Sequence, residues 1–164
     1  MRVIGLDPGT QHAGYGIVEE RNGGYVYIAS GAVNAKGKDV AERLAVIYDG
    51  LAQAIERYRP EEAAIETVFA GENIKTAIVI GEARGVAMLA AARAGLKVAS
   101  YEPTLVKRAV TSNGKATKEQ VQRMIKILLN LQDLPPTDHE ADALGMAITH
   151  LRRRDVEELV RRGR

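Results

Sequence analysis

The spacing of apolar residues changes from strand-like to helical at Val40, after three strands in succession, and that order constrains the fold more than any single motif. Residues 2–7, 14–20 and 24–30 read as three short strands in succession. A Pro-Gly loop at Pro8-Gly9 joins the first pair, and "RNGG" joins the second, with Asn22-Gly23 as a hairpin signal. From Val40 the period becomes helical: Leu44, Ile47, Tyr48, Leu51, Ile55 and Tyr58 fall on one face, and Pro60 stops the run. "AAIET" (63–67) reads as a buried strand, residues 75–94 as a helix of small residues, and "KVASYE" (97–102) as a fifth strand. Val121, Met124, Ile125, Leu128 and Leu129 mark another amphipathic helix. The last main helix begins in "PPTDHEADALGMAITHL", where Thr137 and Glu140 have the spacing of a capping box. The order βββαβαβ followed by helices predicts an α/β fold: a five-stranded mixed sheet, its first three strands an antiparallel meander, flanked by helices.

A length of 164 residues suits one domain, 1–164, with a basic tail from about residue 152. Hydrophobic residues make up 46% and charged residues 27%, as in an ordinary globular protein. No run approaches the roughly 20 apolar residues of a membrane span, and no basic-then-apolar leader precedes Arg2. There is no cysteine, which excludes disulfides and thiolate metal sites. A cytoplasmic protein with no membrane partner is expected. A net charge of +2 is too mild to announce a nucleic-acid binder. The distribution says more: Lys107, Arg108, Lys115, Lys118, Arg123 and Lys126 are opposed within their stretch only by Glu119. That stretch is either a solvated face or a phosphate-binding surface.

Asp7 closes the first strand, and Glu66 lies near the end of the fourth. Singly, each reads as a strand-end charge facing water. Strands one and four are expected to be neighbours across the helical crossover. Two carboxylates on adjacent central strands repel and desolvate each other unless a cation lies between them. As a pair they point to a metal site. Asp142 follows His139 by three and Asp138 by four, so either pair shares a helical face, and spacing alone does not choose between 138 and 139. Asp138 also suits a helix first turn on dipole grounds.

"GLDPGTQHAGYG", "AIETVFAGEN", "GEARGVA" and "HEADALGMAITH", in this order, resemble the RuvC family of Holliday-junction resolvases. The resemblance runs from about residue 2 to 151. It implies an RNase H-like fold, a homodimer, and metal-dependent cutting of four-way junction DNA at an acidic site. By resemblance Asp7, Glu66 and Asp142 match the catalytic, metal-binding carboxylates, and the fourth position falls on His139, where many members carry Asp. Asp138 is one residue out of register. Mg²⁺ or Mn²⁺, two per site, is the implied cofactor, and a branch-migration complex (RuvA and RuvB) is an implied partner. Two metals would activate water and stabilise a departing oxyanion. Imidazole suits Mn²⁺ better than Mg²⁺, so His139 is expected to favour Mn²⁺, or else to orient or deprotonate the attacking water.

Phe69, the one Phe of the chain, reads from its position as a core residue covering the sheet end. The resemblance implies that it stacks on a base of the opened junction. Lys107 and Lys118 match positions near the scissile phosphate. Lys75, Arg108 and Lys115 join them as DNA-binding candidates on charge and position. Ala77, Gly81 and Gly85 are spaced by four, giving a smooth face for a close helix neighbour. That face packs on the sheet or, as the resemblance implies, forms the dimer interface. A two-fold dimer would present equivalent sites to two like strands of a junction.

Three other functions compete. The Asp-Pro-Gly-Thr turn is similar to the phosphate loop of the sugar-kinase, actin and heat-shock ATPase group, but 164 residues leave no room for two lobes. A non-catalytic DNA-binding module would use the basic 107–126 stretch, yet acids on a DNA face weaken binding unless they hold metal. A related nuclease could act on another branched nucleic acid.

Overall fold

A computed structural model describes residues 1–67 and 74–162. The elements are β1 (Arg2–Asp7), β2 (His12–Arg21), β3 (Gly24–Asn34), α1 (Val40–Tyr58), β4 (Glu62–Glu66), α2 (Ile74–Arg93), β5 (Lys97–Tyr101), α3 (Pro103–Thr111), α4 (Lys118–Leu128) and α5 (Asp138–Arg162). One sheet runs in the order β3-β2-β1-β4-β5. β1–β2 and β2–β3 are antiparallel, and β1–β4 and β4–β5 are parallel. This is the expected mixed sheet, with the meander at one side.

The two-residue period of the strands sorts side chains onto two faces. Ile4, Leu6, Ala63 and Ile65 join Ile47, Leu51, Ile55 and Ala87 in a core beneath α1 and α2. Val3, Val18 and Ala64 join Val106, Ile125, Leu144, Ile148 and Leu151 in a second core beneath α3, α4 and α5. Asp7 and Glu66 are in phase with Val3 and Ala64. Both acids therefore belong to the α5 side, and the pairing Leu6↔Ile65 sets the two strand ends side by side.

Between residues 143 and 151 α5 is buried all round, with the sheet below it and α3 and α4 against it, which explains its nearly unbroken run of small and apolar residues. Its close approach to the sheet requires glycine. A Cβ on Gly5 would run into the Ala143 carbonyl, and one on Gly14 into the His139 carbonyl. One on Gly16 would lie 2.7 Å from the Leu144 nitrogen. Gly5 pairs with Gly16, and Asp7 with Gly14, so these residues form one trough across β1 and β2 under the helix.

Three boundaries and one element differ from the sequence reading. β2 begins at His12 and β3 extends to Asn34, because the Gln11 carbonyl and Ala35 nitrogen continue the ladder past the expected ends. α3 was not expected: at nine residues with only Val106 and Val110 buried, its apolar signal is short. Pro103 at its first turn was the available clue. Residues 152–162, set apart above as a basic tail, continue α5. Among the described residues no helix is long and apolar enough to cross a membrane.

Substitution Gly5→Ala should destabilise the fold by about 1–3 kcal/mol, the usual cost of overpacking. Urea denaturation would measure it, and unchanged stability would contradict the close contact between α5 and β1.

Candidate active site

The site forms where β1 and β4 end beneath the first turn of α5. Thr137 begins that helix: its Oγ1 accepts from the Glu140 amide at 3.2 Å, and it donates to Glu140 Oε1 at 3.2 Å. The buried Glu140 carboxylate also accepts from Ser30 Oγ of β3 at 2.5 Å. Helix start, strand and trough together fix the rotation of α5.

That rotation separates positions 138 and 139. His139 Nδ1 lies 2.7 Å from Asp7 Oδ2 on the sheet side. A carboxylate only accepts, so Nδ1 carries the proton and Nε2 is the basic nitrogen. Asp138 instead faces α4, accepting from Gln122 Nε2 at 2.7 Å and from Lys118 Nζ at 3.1 Å. Lys118 also reaches Asp142 Oδ2 at 3.3 Å.

The electrostatics show a crowded acidic group. Burial, then the charges of Asp7 and Asp142, push Glu66 up to about 7. Burial and then Asp7 push Asp142 above its ordinary value. Burial pulls the Lys118 ammonium down, but the Asp138 hydrogen bond and the Asp142 charge outweigh it and leave it raised. The hydrogen bond from Lys118 holds Asp138 low. A cleft of about 210 Å³ opens beside the acids; Glu66, Lys107, Lys118 and Asp142 line it with Pro103 and Val106 of α3.

The structure thus brings Asp7, Glu66, His139 and Asp142 together and sets Lys107 and Lys118 at the same cleft. Arg108 and Lys115 are exposed and outside that lining, and Lys75 is exposed at the start of α2. Phe69 lies outside the described residues. Gly81 and Gly85 are exposed, and among the described residues a Cβ on either would meet nothing within 4 Å. Packing on the sheet therefore does not explain them; α2 turns Ala83, Ala87, Ala90 and Ala91 inward instead. Ala77 is half-buried, and Ile74 and Ile78 are exposed on the same helix.

Two neighbours escaped the sequence reading. His12 stacks on His139, with ring centroids 5.8 Å apart and planes at 28°, while its Nδ1 lies 2.7 Å from Asn34 Oδ1. Once β2 is seen to start at His12, its phase with Gly14 gives the signal. Arg84 reaches the backbone of Glu66, a contact no spacing rule encodes.

The donor set suits a divalent cation: carboxylate oxygens and one imidazole nitrogen, with two carboxyls raised by burial and mutual repulsion that a cation would relieve. Among the described residues no three such side chains already stand ready to hold a metal. Asp7 is engaged by His139 and Asp142 by Lys118.

A five-stranded mixed sheet with acids at the tips of β1 and β4 and at the start of the helix packed across them defines an RNase H-like nuclease domain. The family model described as crossover junction endodeoxyribonuclease RuvC matches residues 3–150, and the chain belongs to that family. The crossover junction endodeoxyribonuclease RuvC of Caldanaerobacter subterraneus subsp. tengcongensis is 47% identical over 165 residues, covering 100% of both chains. That of Moorella thermoacetica is 48% identical over 151 residues, 92% of this chain and 90% of the relative. Among solved structures, Thermus thermophilus RuvC in complex with a Holliday junction substrate superposes with a TM-score of 0.86 at 34% identity, covering 92% of this chain and 93% of that one.

A raised acid makes stability depend on pH. Glu66 holds its proton to about 7 when folded, against an ordinary value of 4.5, so the folded state binds more protons between these limits and loses stability as pH rises through them. In chelator, Glu66→Gln should gain stability over the parent as pH rises from about 4.5 to about 7, with a constant difference above. Denaturation curves across that range check this, and a flat difference would contradict the crowding.

Proposed function

We propose that this chain resolves four-way DNA junctions by divalent-metal-dependent phosphodiester hydrolysis, with Asp7, Glu66, Asp142 and His139 as the catalytic and metal-binding residues. The observation that carries the reading is the gathering of Asp7, Glu66, His139 and Asp142 where β1 and β4 end beneath α5, beside a cleft edged by two lysines. Divalent cations held there, Mg²⁺ or Mn²⁺, supply an activated water and charge stabilisation at the leaving oxygen.

The chain's own residues do the rest. Asp7 fixes the His139 tautomer, leaving Nε2 to take a place at the metal or accept a proton from the attacking water. Lys118 bridges Asp138 and Asp142 and is within reach of an incoming phosphate; an anion there would compete with the two aspartates for its ammonium. Lys107 edges the same cleft and offers a second cation to the backbone. Exposed Gly81 and Gly85, with Ile78 alongside, give α2 a smooth apolar face suited to a second copy. A homodimer built there would carry two equivalent sites and nick two strands of like polarity. Contact with a branch-migration complex, RuvA and RuvB, belongs to the same reading.

Incubation of a four-way DNA junction with the parent and with Asp7→Asn tests the chemistry. Loss of the carboxylate should slow nicking by about a thousandfold, equivalent to several kcal/mol of transition-state charge stabilisation, while junction binding persists. His139→Asp should keep cleaving, with its metal preference moved from Mn²⁺ towards Mg²⁺. Full-speed scission by Asp7→Asn would end the proposal.

A further inference from the structure

Glu66 ends β4 with its carboxyl buried beside the charges of Asp7 and Asp142. Its main chain is held from two sides. The amide of Thr67, the next residue, donates to the Tyr101 carbonyl of β5 at 2.9 Å. Arg84 of α2 donates through Nε to the Glu66 carbonyl at 2.9 Å, and through Nη2 to Ser100 Oγ of β5 at 2.7 Å. The guanidinium is a rigid planar fork, so its two donors fix the end of β4 relative to β5. Ala83 and Ala87, both fully buried, seat this part of α2 on the sheet and aim Arg84 at the strand end.

We propose that Arg84 is a positioning residue for Glu66, its guanidinium holding the peptide carbonyl of that residue and thereby placing the carboxylate where a divalent cation binds. The inference rests on the reading of Glu66 as a metal-binding catalytic acid. Arg84 anchors the Glu66 carbonyl while the Asp7 and Asp142 charges act on its side chain. Releasing it lets the strand end relax away from Asp7 and opens the acidic group. Misplacement by about 1 Å is enough to cost about a hundredfold in rate.

Arg84→Met and Arg84→Lys, compared with the parent, give the test. The readouts are single-turnover cleavage of a four-way junction in Mn²⁺, junction affinity without metal, and Mn²⁺ affinity of the DNA-free protein by calorimetry. Arg84→Met should cleave about 10- to 100-fold more slowly and bind Mn²⁺ about tenfold more weakly, with junction affinity within about twofold. Arg84→Lys, which retains one donor, should recover part of both losses. A folded Arg84→Met with the parent's rate and Mn²⁺ affinity overturns the assignment. Should circular dichroism show that Arg84→Met does not fold, Ser100→Ala takes its place: a smaller loss in the same direction supports the role, and no loss overturns it. A parent that leaves junctions intact but binds Mn²⁺ more tightly than Arg84→Met removes the nuclease reading and keeps the positioning role. A parent that neither nicks nor binds Mn²⁺ removes both.

Discussion

The close approach of α5 to the sheet is the constraint on which the site depends. Gly5, Gly14 and Gly16 strip side chains from a patch of β1 and β2, and the helix backbone settles into the space. Because Gly14 lies opposite Asp7 in the β1–β2 ladder, the helix touches down next to the tip of β1, with the His139 carbonyl over Gly14. The His139 imidazole thus meets Asp7 without help from any flexible loop. Sites built on rigid elements hold their geometry better than sites built on loops. Here two strands and a buried helix supply all four groups.

The same packing has an electrostatic cost. Strand phase sends Asp7 and Glu66 to the α5 face, and the helix adds Asp142 above them. Burial and the Asp7 charge raise the proton affinity of both Glu66 and Asp142. Two neighbours temper the repulsion: Lys118 bridges Asp142 to Asp138, and His139 donates to Asp7. A packed domain that tolerates such crowding at one end is locally inconsistent in the way functional sites commonly are. A cation bound there, as proposed, would relieve the crowding, and its stabilising and catalytic roles would have one origin.

How much of this was legible in the sequence varies with the physics. The meander and the crossover strands were readable because strand period and the Asn22-Gly23 turn are local signals, and the pairing of Asp7 with Glu66 followed from ordinary crossover topology. Positions 138 and 139 were not separable by helical spacing, since either shares a face with Asp142. What separates them is which neighbour each face meets, β1 or α4, and that is a tertiary fact. α3 went unseen because nine residues with two buried valines carry too little periodic signal. His12 was hidden by a boundary error of two residues at the start of β2. Arg84 was hidden because a guanidinium bonded to a carbonyl 18 positions away leaves no pattern.

Glycine in this chain shows why residue type alone does not assign a role. Gly5 and Gly14 are spaces already filled: the nearest atoms to an added Cβ are backbone atoms of α5, which have nowhere to retreat. Gly81 and Gly85 are open spaces, on the outer face of a helix whose inner face is lined by Ala83, Ala87, Ala90 and Ala91. A helix interior gains about 1 kcal/mol from replacing Gly with Ala, so two exposed glycines in mid-helix lower the stability of the isolated chain with no return inside it. The proposed homodimer would bring a second surface against them, and Ile74 and Ile78 are exposed on the same helix to meet it. One set of glycines therefore shapes the site from within the chain, and the other shapes the face that the chain turns outward.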